Sequence, residues 1–361
     1  IIPKMAGSMK NISCGKLQIC KGEPITMENK KPSLFARLQN KITRSYGIAL
    51  VVLLALMVVL SLTTDGNFLT YENIFNLSRA TSVYGIVALA MTFVIITGGI
   101  DLSVGANVGL AGMLVTLLTV NHGFNMWLTM LIAVVACAMV GLLNGILIYD
   151  GKLPPFIATL GSMTIIRAVI LLISDSRNIT GLPEEFLKIS KITIGFTKTN
   201  NLGMPTTYGI PFMALVWLLL ILASAAIFKY TYFGRNIFAV GSNCDAARLS
   251  GISVRKTIYG VYVSSGVLCA LGGILLTSRL ASGIPTLGTG YEMNAIAAAV
   301  VGGASMSGGV GYIGGTVIGA ILIATIRNGG TLWSLNGQII EILIGCLIIA
   351  AVLMDKLKKT Q

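Results

Sequence analysis

Four groups of residues in this sequence have types and spacings that could handle a polar solute, a charge or a moving partner. The first is Thr97-Gly98-Gly99-Ile100-Asp101-Leu102-Ser103-Val104-Gly105-Ala106-Asn107-Val108-Gly109, where a carboxylate, a hydroxyl, an amide and paired glycines interrupt two long apolar runs. In lipid every backbone N–H and C=O must find a partner inside the protein. A glycine-rich interruption at membrane depth therefore survives only where it is buried in protein or lines a wet cavity. Asp101, Ser103 and Asn107 are on this ground candidate lining of a translocation path. The structural alternative for Asp101 is a carboxylate held favourably before a helix N-terminus.

The second group repeats the first. Gly302-Gly303-Ala304-Ser305-Met306-Ser307-Gly308-Gly309 matches Gly98 to Gly105 at both leading glycines, at the serine (Ser307 against Ser103) and at the closing glycine. Each copy sits between apolar runs, as expected where transporters reuse half-units. The third group is polar residues inside apolar runs. Arg167 lies mid-run, while Glu292 and Glu341 start later runs. A charge in a membrane span is costly and by default faces a bundle interior or cavity; Arg167 should then have a partner, while for Glu292 and Glu341 the alternative is a place at the water interface. Asn144 and Asn294, with Asn107, suit hydrogen bonding to a hydroxylated solute, or equally between helices.

None of this is catalytic machinery. Gly309-Val310-Gly311-Tyr312-Ile313-Gly314 fits GxGxxG but leads into a membrane run rather than a soluble βαβ unit, and no GxxxxGK[ST] occurs, so this chain lacks a P-loop for hydrolysing ATP. Nucleophile–base and metal-ligand patterns are absent. His122 is read as a loop residue. Cys14, Cys20, Cys137, Cys244, Cys269 and Cys346 are scattered without CxxC pairs, which indicates neither a disulfide framework nor a zinc site.

The elements that must position these residues are membrane helices. The chain is 55% hydrophobic and 11% charged, against about 25% charged in a soluble domain, and its mean hydropathy is +0.84. The expected fold class is all-α, a polytopic transmembrane helical bundle with about ten spans. They are placed at 46–62, 80–97, 102–120, 126–149, 154–173, 209–228, 257–277, 291–303, 312–327 and 338–354 within a permease domain at 46–354. The run 291–303 is short for a crossing at about 1.5 Å per residue, which puts the second glycine break inside the membrane. The 42 glycines fit close helix packing, with Gly105/Gly109, Gly141/Gly145 and Gly315/Gly319 as small-xxx-small pairs.

The net charge of +13 is read as a topology signal rather than a nucleic-acid surface. Basic residues gather before the first run and at Lys152, Lys229, Arg235, Arg248, Arg255, Lys256 and the 355–361 tail, which places both termini in the cytoplasm. Arg79, Arg279 and the 174–208 loop fall outside, with Trp127 and Trp333 at outer boundaries. Residues 1–45 form a basic cytoplasmic tail, partly disordered. Met27-Glu28-Asn29-Lys30-Lys31 reads as a translation start, and the first run as an uncleaved anchor rather than a signal peptide.

The fourth group lies in the cytoplasmic loop at 229–256. There Asn243 is a candidate N-cap, Asp245 favours a helix start, Ala246-Ala247-Arg248-Leu249 are helix formers and Gly251 is a stop. A short helix on the inner surface is suited to transmitting motion from a partner; the structural alternative is an ordinary connecting turn.

Taken together these residues resemble the permease family of bacterial ribose-type ABC sugar importers. The resemblance rests on Thr97 to Gly105, Pro154-Pro155-Phe156-Ile157-Ala158-Thr159-Leu160-Gly161, the loop from Gly234 to Ile252, and Tyr291 to Gly309. Ala106 and Ala304-Ser305-Met306 depart from the family pattern and leave the sugar open. The resemblance implies a homodimeric permease of type II importer architecture in the bacterial inner membrane. It implies a cytoplasmic ATPase that binds the ATP and magnesium, an extracytoplasmic sugar-binding protein received by the 174–208 loop, and no cofactor on this chain. The segment Asn243 to Gly251, with Gly234 and Arg235, becomes the coupling segment. Alternatives are an ABC permease for a branched-chain amino acid, nucleoside or autoinducer sugar, or an ion-coupled secondary transporter.

Overall fold

The computed structural model describes residues 47–199 and 205–360. The basic tail and the Met27 start lie outside the described residues. Thirteen helices carry the described chain: α1 (Gly47–Thr63), α2 (Tyr71–Ile96), α3 (Val104–Thr116), α4 (Met126–Tyr149), α5 (Pro155–Ile173), α6 (Glu184–Lys191), α7 (Phe212–Tyr230), α8 (Tyr232–Ser242), α9 (Cys244–Leu249), α10 (Val254–Leu280), α11 (Tyr291–Val301), α12 (Ile313–Leu332) and α13 (Gly337–Thr360). Seven segments are long and apolar enough to cross a membrane, α3 counting with the wide turn that extends it to Asn121; α1, α11 and the apolar part of α13 are shorter apolar helices. These ten elements stand where the ten spans were expected.

Local sequence fixes the ends. The Thr70 side chain caps α2 at Asn73 N, Asn125 caps α4 at Trp127 N, and Ser253 caps α10 at Lys256 N. Pro155 opens α5, where its missing N–H costs nothing. Helix α2 starts nine residues before the expected 80, so Arg79 is a helix residue and not a loop one. The 174–208 connection is also more than a loop. It holds α6 and an antiparallel hairpin of β2 (Thr193–Thr199) and β3 (Pro205–Pro211), while β1 (Ile179–Thr180) pairs with β4 (Ser282–Gly283).

Helices α2 and α10 are the axis. In the apolar window of α2 83% of residues are buried inside the protein, against 11% in α7, so α7 presents its apolar surface outward, as α4 and α5 largely do. Around this axis α10 packs on α2, α3 and α4, and α11 and α12 pack on each other and on α2. Small residues allow the close approaches. Gly141 of α4 lies on the Tyr262 backbone of α10 and Gly145 on that of Tyr259, while Gly315 and Gly319 of α12 lie on Gly302 and on Ala298 of α11. Gly105 and Gly109 differ from these pairs. They face the backbone of Gly288 and Leu287 and the side chains of Glu292 and Arg167, so this small stripe makes room for a loop and two charged side chains rather than a helix backbone.

Candidate translocation and coupling sites

Both glycine breaks end their helices in the same way. At the end of α2, Gly98 (φ +80°) donates its N–H to Ile95 O at 2.9 Å, and Gly99 N–H reaches Val94 O at 3.2 Å. At the end of α11, Gly303 (φ +90°) donates to Val300 O at 2.9 Å and Ala304 N–H to Ala299 O at 2.9 Å. This is the Schellman pattern, which needs a left-handed residue after the helix. The structural equivalence is therefore Gly98 with Gly303, one position off the sequence match. The left-handed position decides it, because Gly302 still has helical φ. Thr92 and Thr316 Oγ1 atoms, 2.7 Å apart and buried, tie α2 to α12 just before and after the breaks.

The breaks also touch. Gly309 N–H donates to Ile96 O at 2.8 Å, and Gly308 packs against Gly98 N and Gly241 O. Gly241, in α8, completes the junction by sitting directly on Ile96 O and close to Gly309 N. One glycine of α8 is thus wedged against both breaks.

Four of the candidate path residues converge at the first break. Asp101 Oδ1 accepts Ser103 N–H at 2.9 Å and Ser103 Oγ–H at 2.6 Å, and its Oδ2 accepts Ser265 Oγ–H at 2.9 Å. Ser103 Oγ in turn accepts Asn144 Nδ2–H at 3.0 Å, and Asn107 Nδ2 lies 3.5 Å from it. Ser162 Oγ–H donates to Asn144 Oδ1. Asp101, Ser103, Asn107 and Asn144 are each no more than 1% exposed. They form a closed hydrogen-bonded knot joining α3, α4, α5 and α10, with no opening onto their atoms. Thr159 of α5 adds to it, donating to Ile100 O at 3.2 Å and accepting Leu102 N–H at 3.1 Å. Ser162, Ser265 and Thr159 were not singled out from sequence, because a hydroxyl on a membrane helix gives no signal beyond ordinary interhelical packing.

The other candidates sit elsewhere. Arg167 Nη1 donates to Leu287 O at 2.6 Å, and Glu292 Oε1 accepts Gly290 N–H at 3.1 Å; the two lie on the Gly105/Gly109 face within electrostatic reach of each other. Asn294 Oδ1 accepts Arg327 Nη2–H at 3.0 Å, and Glu341 Oε1 takes the same nitrogen at 2.7 Å. Ser307 is exposed on the second break. Arg327 was missed, although a cation in an apolar run was the signal that picked out Arg167.

At the Gly241 end the connection folds into two short helices. Thr231 Oγ1 accepts Gly234 N–H at 3.0 Å, and Gly234 itself lies on the Ile227 and Phe228 backbone of α7, which makes the α7–α8 corner tight. Arg235 lies over the Tyr232 ring at 4.5 Å. Asn243 Oδ1 accepts Ala246 N–H at 2.9 Å and so caps α9. Ala247 is buried with Val240 and Val254, whereas Ala246 and Arg248 are exposed and Leu249 is 90% exposed. Gly251 (φ +81°) turns the chain into α10. A cavity of about 940 Å³ opens beside α9, reaching from Arg248 and Cys244 past Asp150 and Lys152 to Thr97 at the first break. Asp150 is held at its rim by Arg255 Nη2–H at 3.0 Å and by Tyr259 O–H.

The chain is 40% identical over 305 residues to the ribose import permease protein RbsC of Bacillus subtilis, covering 84% of this chain and 91% of that protein. It is 37% identical over 316 residues to RbsC of Escherichia coli K12, covering 86% and 93%. To the xylose transport system permease protein XylH of Haemophilus influenzae it is 32% identical over 362 residues, covering 87% and 96%. No solved structure matches the chain. The family described as branched-chain amino acid transport system / permease component matches residues 73–352. That match runs from the first turn of α2 into α13, takes in both glycine breaks and the α8–α9 pair, and shows that the chain belongs to this permease family.

Proposed function

We propose that this chain is the membrane-spanning permease subunit of an ATP-driven importer for a monosaccharide such as ribose. It works as a homodimer, powered by a separate cytoplasmic ATPase and supplied by an extracytoplasmic sugar-binding protein. The relatives named for ribose and xylose support the substrate class. As a translocation subunit it is not an enzyme; ATP and magnesium belong to the ATPase.

The observation that carries the mechanism is the seat of Gly241 on Ile96 O and beside Gly309 N. The α8–α9 end bears Lys229, Arg235, Arg248, Arg255 and Lys256 close to span ends, which supports its assignment to the cytoplasm with both termini. An ATPase that closes on nucleotide moves α9 by its exposed Arg248 and Leu249. Through Val240 and Ala247 that motion reaches Gly241, and Gly241 displaces two breaks whose backbones touch. The helices beyond them, α3 and α12, change tilt together. Such a device is bistable rather than elastic because each contact is close-packed. The β2–β3 hairpin, at the opposite end, is the docking place for the binding protein.

Arg248→Glu reverses an exposed charge without touching the core, and Gly251→Pro places a residue fixed near φ −65° where the chain needs +81°. Both variants are expected to insert in the membrane, to lose association with the ATPase and to lose uptake. Co-purification and vesicle uptake are the readouts, and normal transport in both would remove α9 from the coupling role.

A further inference from the structure

At the end of the bundle opposite Gly241, three guanidinium groups gather. Arg79 comes from α2, Arg279 from the last turn of α10 and Arg327 from α12. All three are half-buried. Arg79 lies within electrostatic reach of Arg279, and Tyr291 of α11 within reach of both Arg279 and Arg327. Tyr84 and Tyr291 stack with ring centroids 4.6 Å apart, and Arg327 lies over the Tyr84 ring at 5.6 Å. Beside them Arg279, Thr286, Thr289 and Tyr291 line a cavity of about 420 Å³.

The charge at this cluster does not balance. Glu341 pairs with Arg327, and Glu292 is directed to Gly290 N–H and the Arg167 side. Among the described residues Arg79 and Arg279 enter no ion pair. The Nε atoms of Arg79 and Arg327 are buried and have no hydrogen-bond acceptor. Like charges brought together in a medium of low dielectric repel, and unused guanidinium donors are costly to bury. The stacked tyrosines and the Phe75 ring, 5.8 Å from Arg79, supply faces that hold the cations in place but no charge to offset them.

We propose that this cluster is a binding site for an oxyanion, a carboxylate or phosphate group, held by the forks of Arg79 and Arg279 beside the Tyr84–Tyr291 stack. A planar guanidinium presents paired donors matched to such oxygens. The oxyanion comes either from a free solute entering the cavity or from the headgroup of an anionic lipid at this end. The proposal stands apart from the transport reading, since binding is measured without the ATPase.

The test uses the purified full chain in nanodiscs of phosphatidylcholine. Inorganic phosphate and gluconate are each titrated while the unfolding midpoint is followed, with glucose as the uncharged control. A free-oxyanion site gives a saturable rise of a few degrees with either anion and none with glucose. In the double variant Arg79→Gln/Arg279→Gln the affinity falls by about tenfold or more. In a second arm the chain is extracted from phosphatidylglycerol-containing membranes and examined by native mass spectrometry. Retained phosphatidylglycerol that is lost in the variant assigns the oxyanion to lipid. If neither anion nor lipid binds the wild-type chain, or if binding is the same in the variant, the site does not exist. Should the variant fail to fold, the contrast between gluconate and glucose on the wild-type chain decides.

Discussion

Gly241→Val is expected to abolish sugar uptake while the chain still inserts. A Cβ at this position overlaps Ile96 O and lies 2.7 Å from Gly309 N, and both neighbours are backbone atoms that cannot rotate away. The isopropyl group therefore pushes α8 off both breaks, and on the proposed function this uncouples the inner helices from them. Overpacking of this kind costs about 1–3 kcal/mol, enough to shift an equilibrium between two states by about fivefold to about 150-fold. Gly241→Ala, which adds the Cβ alone, is expected to keep part of the activity. Gly161→Ala is the control, since nothing lies within 4 Å of a Cβ there. Uptake into membrane vesicles, normalised to inserted permease, gives the comparison; full activity in Gly241→Val would mean that the breaks do not receive motion through α8.

Asp101→Leu is expected to cost about 3 kcal/mol of stability, because Ser103 N–H and the hydroxyls of Ser103 and Ser265 lose their acceptor inside a dry interior. The knot then loses the group on which it converges, and α3, α4, α5 and α10 lose their shared anchor. Asp101→Asn keeps the size and one accepting oxygen and is expected to lose clearly less. Thermal unfolding in detergent orders the three proteins. Equal midpoints for wild type and Asp101→Leu would show that the carboxylate does not hold the break together.

Much of this architecture was legible in the sequence because lipid leaves few choices. A long apolar run without breaks has to be a helix, so the ten runs gave ten helices. The inner α9 was legible for a different reason. Asn243, Asp245 and Gly251 are start and stop residues whose effect is local, and they act in the structure as their chemistry dictates. What stayed hidden depended on partners far along the chain. The start of α2 carries Glu72, Asn73 and Asn76, and this polar turn reads as loop until Asn73 is seen paired with Asn328 of α12 at 3.1 Å. The amphipathic α6 and the β2–β3 hairpin leave no membrane signature.

The candidate site was legible only in part. Asp101, Ser103 and Asn144 stood out by type, but Ser162 and Ser265, which complete their bonding, did not. The glycine repeat was visible, yet its true register waited for the left-handed residues to be located. The contact between Gly241 and the two breaks joins three segments far apart in sequence, and no spacing rule links them.

On the proposed function the bundle supplies a route and draws its energy from outside through α8 and α9. The most direct measurement reconstitutes the purified chain in liposomes with labelled ribose or xylose and the cognate binding protein, with and without the partner ATPase and ATP. Concentration of sugar against its gradient is expected only when ATPase and ATP are both present. Concentrative uptake by the permease and binding protein alone, driven by an ion gradient, would contradict it.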